Sequence, residues 1–241
     1  MKTRSFSILA TVIATGLFAI PSPAAEIEVS ADYSLKIPIY EIKHAYEKAH
    51  RNSFVNINCD EAVNLRSQIE KKRPMDLFIS GAPGQMESLV AAGLVDASTV
   101  TAFATNKILV VQSSDSTTPL TTLDDLDNLP PGSIGCADLE KSTLGQATRE
   151  ALDKARCLDS LQPKIKVFEF PRTMLFNIKN GQLSAAFVFI SDLFAREKIK
   201  TAFEVSQNLY TPIIYKAAIL TPKTADAKGP AAAPDEPTAD P

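Results

Sequence analysis

Short β-type runs alternate with helix-period patterns from Glu26 to Leu220, and no other feature restricts the fold of this chain so tightly. Residues 27–31 read as a strand and 37–50 as a helix. Residues 54–58 and 76–80 read as further strands, 62–71 and 86–92 as helices, and 107–112 as another strand. Helix 37–50 places Ile39, Ile42, Tyr46 and Ala49 at spacings of three and four, which predicts one buried stripe. Helix 86–92 stops at Gly93, the residue type that most readily closes a helix. The second half repeats the grammar: strand 133–137, helix 143–156, strand 165–168, helix 172–180 closed by Gly181, and strand 185–190. Such alternation predicts α/β architecture with mostly parallel sheets flanked by helices. Two units suggest two lobes, and the apolar run 213–220 reads as a strand returning to the first. The expected organisation is lobe one at 26–110 with 212–220, and lobe two at 111–211. A ligand cleft is expected between them, where loops leave the carboxyl ends of the strands.

Both termini differ from this pattern. Lys2 and Arg4 precede an uncharged, largely apolar run from Phe6 to Ile20, followed by small residues suited to cleavage after Ala24 or Ala25. Residues 1–25 therefore read as a secretory signal peptide, which predicts a periplasmic protein. Removing Lys2 and Arg4 takes the formal charge from −3 to −5. A mildly acidic chain carries no nucleic-acid footprint, and no later stretch is apolar enough to span a bilayer. Residues 221–241 are rich in Pro, Ala, Thr and Asp and poor in large apolar groups, so they read as a disordered tail. Three cysteines are present, Cys59, Cys136 and Cys157. Export permits a disulfide, and Cys136 with Cys157 is the candidate pair; buried free thiols are the alternative.

Catalytic patterns are missing from the sequence. His44 and His50 lie six apart on one helix, too far for an i, i+4 metal pair, and off its apolar stripe. There is no Gly-x-Ser-x-Gly elbow, no phosphate-cradling Gly loop and no His-Glu-x-x-His. The sequence predicts a non-enzymatic binding protein without a cofactor or resident metal.

A series of strings resembles the periplasmic molybdate-binding family. IEVSADYSL at 27–35, LRSQI at 65–69 and PMDLFIS at 74–80 are similar to its first strand and turn, second helix and third strand. LVAAGLVD (89–96), NKILVV (106–111), GQATREAL (145–152), LDSLQPK (158–164) and AFVFISD (186–192) continue the match in order and spacing. The resemblance implies a type II solute-binding protein that closes on a small molecule or oxyanion and delivers it to an ABC permease. It also implies an oxyanion held by neutral hydroxyls and backbone N–H groups, a chemistry that needs no counter-charge.

Carried over position by position, the resemblance places the ligand near Tyr33 and Ser34, Asp60, Glu61 and Ala62, Ser142, Thr143 and Leu144, Pro171 and Arg172, and Phe189. Ser34 keeps the first hydroxyl. Ala62 stands where a second serine is expected, Pro171 has no N–H to donate, and Phe189 replaces a tyrosine. Each hydrogen bond lost to a buried anion costs about 1.5–3 kcal/mol, so three losses remove several powers of ten in affinity. Asp32, Asp60 and Glu61 add carboxylates beside the same loops. The leading expectation is a solute-binding protein of altered specificity, for a less polar, neutral or cationic ligand. Oxyanion binding through Ser34, Ser142 and Thr143, a protein-interaction module, and a metal carrier using Cys59 are the alternatives. Family members continue past the returning strand with helices that pack on lobe one. Here the tail begins at once, so an apolar face of lobe one is expected to be open to a protein partner.

Overall fold

The computed structural model describes residues 25–193 and 198–221. The chain builds two five-stranded sheets with the same plan. In the first, β1 (Ala25–Asp32) lies between β2 (Ser53–Asp60) and β3 (Leu77–Ser80), and then come β10 (Ile213–Ile219) and β4 (Thr101–Asn106). In the second, β6 (Ile134–Cys136) lies between β7 (Ile165–Val167) and β8 (Ala185–Phe189), followed by β5 (Ile108–Ser113) and β9 (Ile199–Glu204). β1, β2 and β3 are parallel, and β4 runs with them because each of β3 and β4 pairs antiparallel with β10. The second sheet follows suit, with β5 as its reversed strand. Each reversed strand enters from the other half of the chain. The chain leaves the first sheet at Lys107, before the expected boundary after Val110, and returns through 205–212. The two passages touch where the Ile108 N–H donates to the Tyr210 hydroxyl at 3.3 Å.

Central strands are built from apolar runs because both of their faces are covered. All five residues of β8, Ala-Ala-Phe-Val-Phe, are buried. β4 and β9 have no such signature, since they are edge strands held in register by a distant partner, and sequence periodicity does not reveal them.

The helices are α1 (Lys36–Ala49), α2 (Ala62–Glu70), α3 (Gln85–Ala91), α4 (Thr143–Lys154), the one-turn α5 (Leu158–Leu161) and α6 (Pro171–Lys179). Gly93 and Gly181 follow α3 and α6 at φ 67° and 69°, a left-handed conformation that suits glycine and closes both helices as expected. Leu65 and Ile69 of α2, with Met86 and Leu89 of α3, cover one face of the first sheet around Phe78 and Ala218. Each such buried side chain contributes about 1.5–3 kcal/mol. The larger core runs from Val29, Ile79 and Tyr215 in the first lobe into Val110, Ile134 and Phe187 in the second.

α1 departs from its expected stripe. Ile42 is 57% exposed and Tyr46 37%, Ala49 is exposed, and Ile39 is only half-buried, while Tyr40 turns inward. The cause is the free edge of β2, whose Val55 N–H would otherwise lack a partner. Glu47 Oε1 accepts it at 2.8 Å, which rotates the polar Lys43 and Glu47 side toward the sheet. His44 and His50 are exposed on this helix. Of the two readings open for the cysteines, the free thiols are found: no Cys136–Cys157 bridge is formed, and Cys59, Cys136 and Cys157 are all free. Cys136 sits inside the second sheet, whereas Cys157 precedes α5 and gives its Sγ–H to the Leu152 carbonyl. Ile219, Phe103 and Ile214 of the first sheet are 53%, 49% and 39% exposed among the described residues. The expected signal peptide lies outside the described residues except for Ala25, which opens β1, and the expected tail lies outside them except for Thr221. No helix among the described residues is long and apolar enough to cross a membrane.

Candidate functional site

The parallel strands of both lobes aim their carboxyl ends at one cleft. β1 delivers Asp32, Tyr33 and Ser34, and the start of α2 delivers Glu61. The second lobe contributes Ala137, Ser142, Thr143, Leu144, Glu169, Pro171, Phe189 and Asp192. The cleft has about 30 Å³ of free space, room for about two water molecules, and opens to solvent on one side.

Asp32 is the centre of this arrangement and is 1% exposed. Its Oδ1 accepts the Ser34 N–H at 3.1 Å and the Ser34 hydroxyl at 2.7 Å, which fixes the tight turn after β1. Its Oδ2 accepts the Thr143 hydroxyl from the opposite lobe at 2.6 Å and the Gly81 N–H at 3.3 Å. Ser34 Oγ in turn accepts from the Tyr215 hydroxyl at 2.8 Å, and Asn106 Nδ2 donates to Tyr215 Oη at 3.1 Å and to Ser191 Oγ at 2.9 Å. A continuous chain of hydrogen bonds thus begins in the second lobe at Ser191, crosses the first, and ends in the second at Thr143. Burial, followed by the nearby Asp32 charge, pushes the Tyr215 phenol well above its ordinary range, so it serves as a neutral donor.

The remaining sequence-predicted residues divide by position. Tyr33, Ser34, Glu61, Ser142, Thr143, Leu144, Pro171 and Phe189 line the cleft, whereas Asp60, Ala62 and Arg172 do not. Asp60 is turned along α2, accepting the Glu61 N–H, Asn64 Nδ2 and Gln68 Nε2. Ala62 is fully buried in the first turn of α2. Ser142 caps α4: its hydroxyl accepts the Gly145 N–H at 2.8 Å and donates to the Asp138 carbonyl at 2.9 Å, leaving it occupied within its own loop. The Phe189 N–H is taken by Asp192 Oδ2 at 2.9 Å. Glu169 and Asp192 complete the lining, though sequence reasoning did not single them out. Asp192 closes the AFVFISD string, and Glu169 lies two residues before Pro171, so proximity to matched positions was the available signal.

Four carboxylates, Asp32, Glu61, Glu169 and Asp192, therefore line the cleft; among the described residues no Lys or Arg belongs to the lining itself, while Lys36 Nζ stands 5.4 Å from the Tyr33 ring centroid and the Arg172 charge reaches Tyr33. Burial, then Asp32, Asp60, Asp138 and Glu169 in that order, push Glu61 up to about 7. Burial above all, then Cys59, Glu169 and Glu61, push Tyr33 up to about 12. The Tyr33 ring meets Phe170 across the cleft with centroids 5.5 Å apart. Cys59 is likewise pushed to about 12, chiefly by burial. Among the described residues no group of three or more His, Cys, Asp or Glu is placed to hold a metal ion.

The family of bacterial extracellular solute-binding proteins matches residues 27–234. The chain belongs to that family. YvgL of Bacillus subtilis (strain 168), which carries the name of an ABC transporter substrate-binding lipoprotein, is 25% identical over 80% of this chain and 74% of its own. The molybdate-binding protein ModA of Escherichia coli (strain K12) is 26% identical over 81% of this chain and 77% of its own. The periplasmic molybdate-binding protein of Azotobacter vinelandii has the same fold, with a TM-score of 0.67, 18% identity, and coverage of 80% of this chain and 85% of its own. The protein is a ModA-like, type II solute-binding protein that resembles the molybdate-binding component of ABC transporters, and its relatives are binding proteins.

Proposed function

We propose that this chain is an exported receptor for an ABC importer whose cleft takes a small neutral or cationic solute in place of a dehydrated oxyanion. One observation carries the reading: the hydroxyls of Ser34 and Thr143, which face each other from the two lobes, both donate to the Asp32 carboxylate. A free oxyanion would have to displace that carboxylate and then sit against Glu61, Glu169 and Asp192. Like charges gathered at one site repel. A cation with an apolar body meets the opposite conditions, with acids for its charge and Tyr33, Leu144, Pro171 and Phe189 for its body. Exit to the periplasm through a cleaved leader at 1–25 and docking on a permease belong to the same reading. They rest on the sequence of the leader and on kinship with transporter components.

The test is native mass spectrometry of the protein recovered from its own host, followed by thermal shifts with molybdate, tungstate, divalent metals and small organic amines. Bound mass that is lost on mild activation, or a shift with amines, supports the reading. A saturable shift with micromolar molybdate defeats it and restores the oxyanion alternative. Silence across the whole panel also defeats it and favours a protein-binding role, for which the exposed Phe103 and Ile219 are the relevant observation.

A further inference from the structure

Buried carboxylates in proteins are ordinarily matched by a cation or a metal, because losing water without compensation is costly. Asp32 belongs to no group of three or more His, Cys, Asp or Glu placed to hold a metal ion among the described residues. None of the ion pairs among the described residues includes it, and its oxygens are satisfied by four neutral donors. These are the Ser34 N–H and hydroxyl, the Gly81 N–H, and the Thr143 hydroxyl. The donors come from three separate places: the turn after β1, the end of β3, and the first turn of α4 in the other lobe. Neutral donors converging from two bodies on one dehydrated negative group are the arrangement of an anion receptor.

We propose that these four donors form an anion-binding site whose occupant is the protein's own Asp32 carboxylate, tethered to β1. Asp32 is then the specificity-determining residue of the cleft. It holds the lobes together as a bound anion would, and it keeps free anions out by filling their place. The assignment rests on the preceding reading that the cleft rejects oxyanions, and it makes a demand of its own. Once the tethered carboxylate is removed, the vacated site must accept a free one of similar size.

The experiment is thermal unfolding of wild type, Asp32→Ala and Asp32→Asn in sodium formate against sodium chloride at equal ionic strength. Asp32→Ala is expected to melt several degrees below wild type in chloride and to recover in a saturable manner with millimolar formate. Wild type, whose site is filled, is expected to be indifferent to the anion. Asp32→Asn keeps the side-chain volume and leaves no room for formate, so it is expected to be destabilised without recovery. Should Asp32→Ala fail to fold in chloride, the same comparison is read as refolding yield, with formate expected to raise it. Equal behaviour of Asp32→Ala in the two salts, in melting or in yield, overturns the assignment. So does an equal gain by Asp32→Asn. If wild type itself binds molybdate, it is the preceding reading that fails. If wild type does not, and formate leaves Asp32→Ala unmoved, this assignment alone fails.

Discussion

Thr143 Oγ1 lies 2.6 Å from Asp32 Oδ2, and this bond ties the start of α4 in one lobe to the end of β1 in the other. Both residues are 1% exposed, so neither has water as a substitute partner. Replacing Thr143 by Val keeps the shape and removes the donor. Hydrogen bonds to charged groups contribute about 1.5–3 kcal/mol, and a loss of that size is expected in urea unfolding. Small-angle scattering is expected to report a more open particle, and an unchanged radius together with unchanged stability would show that the bond does not hold the lobes.

Glu61 predicts the direction of a pH response. Its pKa is raised from the ordinary 4.5 to about 7, first by burial and then by Asp32, Asp60, Asp138 and Glu169. An acid with a raised folded pKa binds more protons when native, so falling pH favours the folded state. Its contribution is full below about 4.5 and is lost as pH rises through about 7. Comparing wild type with Glu61→Gln from pH 4 to 8 cancels the other titrating groups. Wild type is expected to lose stability relative to the variant as pH rises to about 7, with a plateau beyond. A difference that does not vary with pH would contradict the burial of Glu61 in the acidic cleft.

Gly145 allows α4 to approach the loop that precedes it. A Cβ at this position would stand 1.9 Å from the Asp138 carbonyl oxygen and 2.4 Å from its carbon, and both are backbone atoms that cannot rotate aside. The same residue donates its N–H to the Ser142 cap. Gly145→Ala is therefore expected to destabilise by about 3 kcal/mol, near the upper end for overpacking. Calorimetry that finds the variant within about 0.5 kcal/mol of wild type would mean the loop yields freely.

The three free cysteines give a chemical prediction. Burial pushes the Cys59 and Cys136 thiols up to about 12 and raises Cys157 as well. Thiol titration of the folded protein at neutral pH is expected to be slow, and denaturation is expected to expose three reactive groups. Reducing agent should leave the melting temperature unchanged. A drop of several degrees on reduction would reveal a disulfide.

Much of the scaffold is legible in the chain because its signals are local. The continuous apolar run of β8 declares a strand, and Gly93 and Gly181 declare helix ends. The ordered strings from IEVSADYSL to AFVFISD suffice to indicate the family and to place Tyr33, Ser34 and Thr143 at the cleft. Edge strands β4 and β9 are not legible, since their partners lie far away in sequence.

Only the tertiary structure decides where each polar group spends its hydrogen bonds. Ser34 reads as a free hydroxyl in the sequence, yet in the fold it donates to Asp32 and accepts from Tyr215, 181 residues away. Asp60 and Glu61 are adjacent, but one braces α2 while the other lines the cleft. Ile42 and Tyr46 have helical spacing fit for a core, but the unpaired Val55 N–H draws Glu47 inward and turns them out. Periodicity fixes which side chains share a face of a helix or strand. Which face meets which partner depends on contacts such as Asp32 with Thr143, 111 residues apart, and these exist only once the lobes have closed.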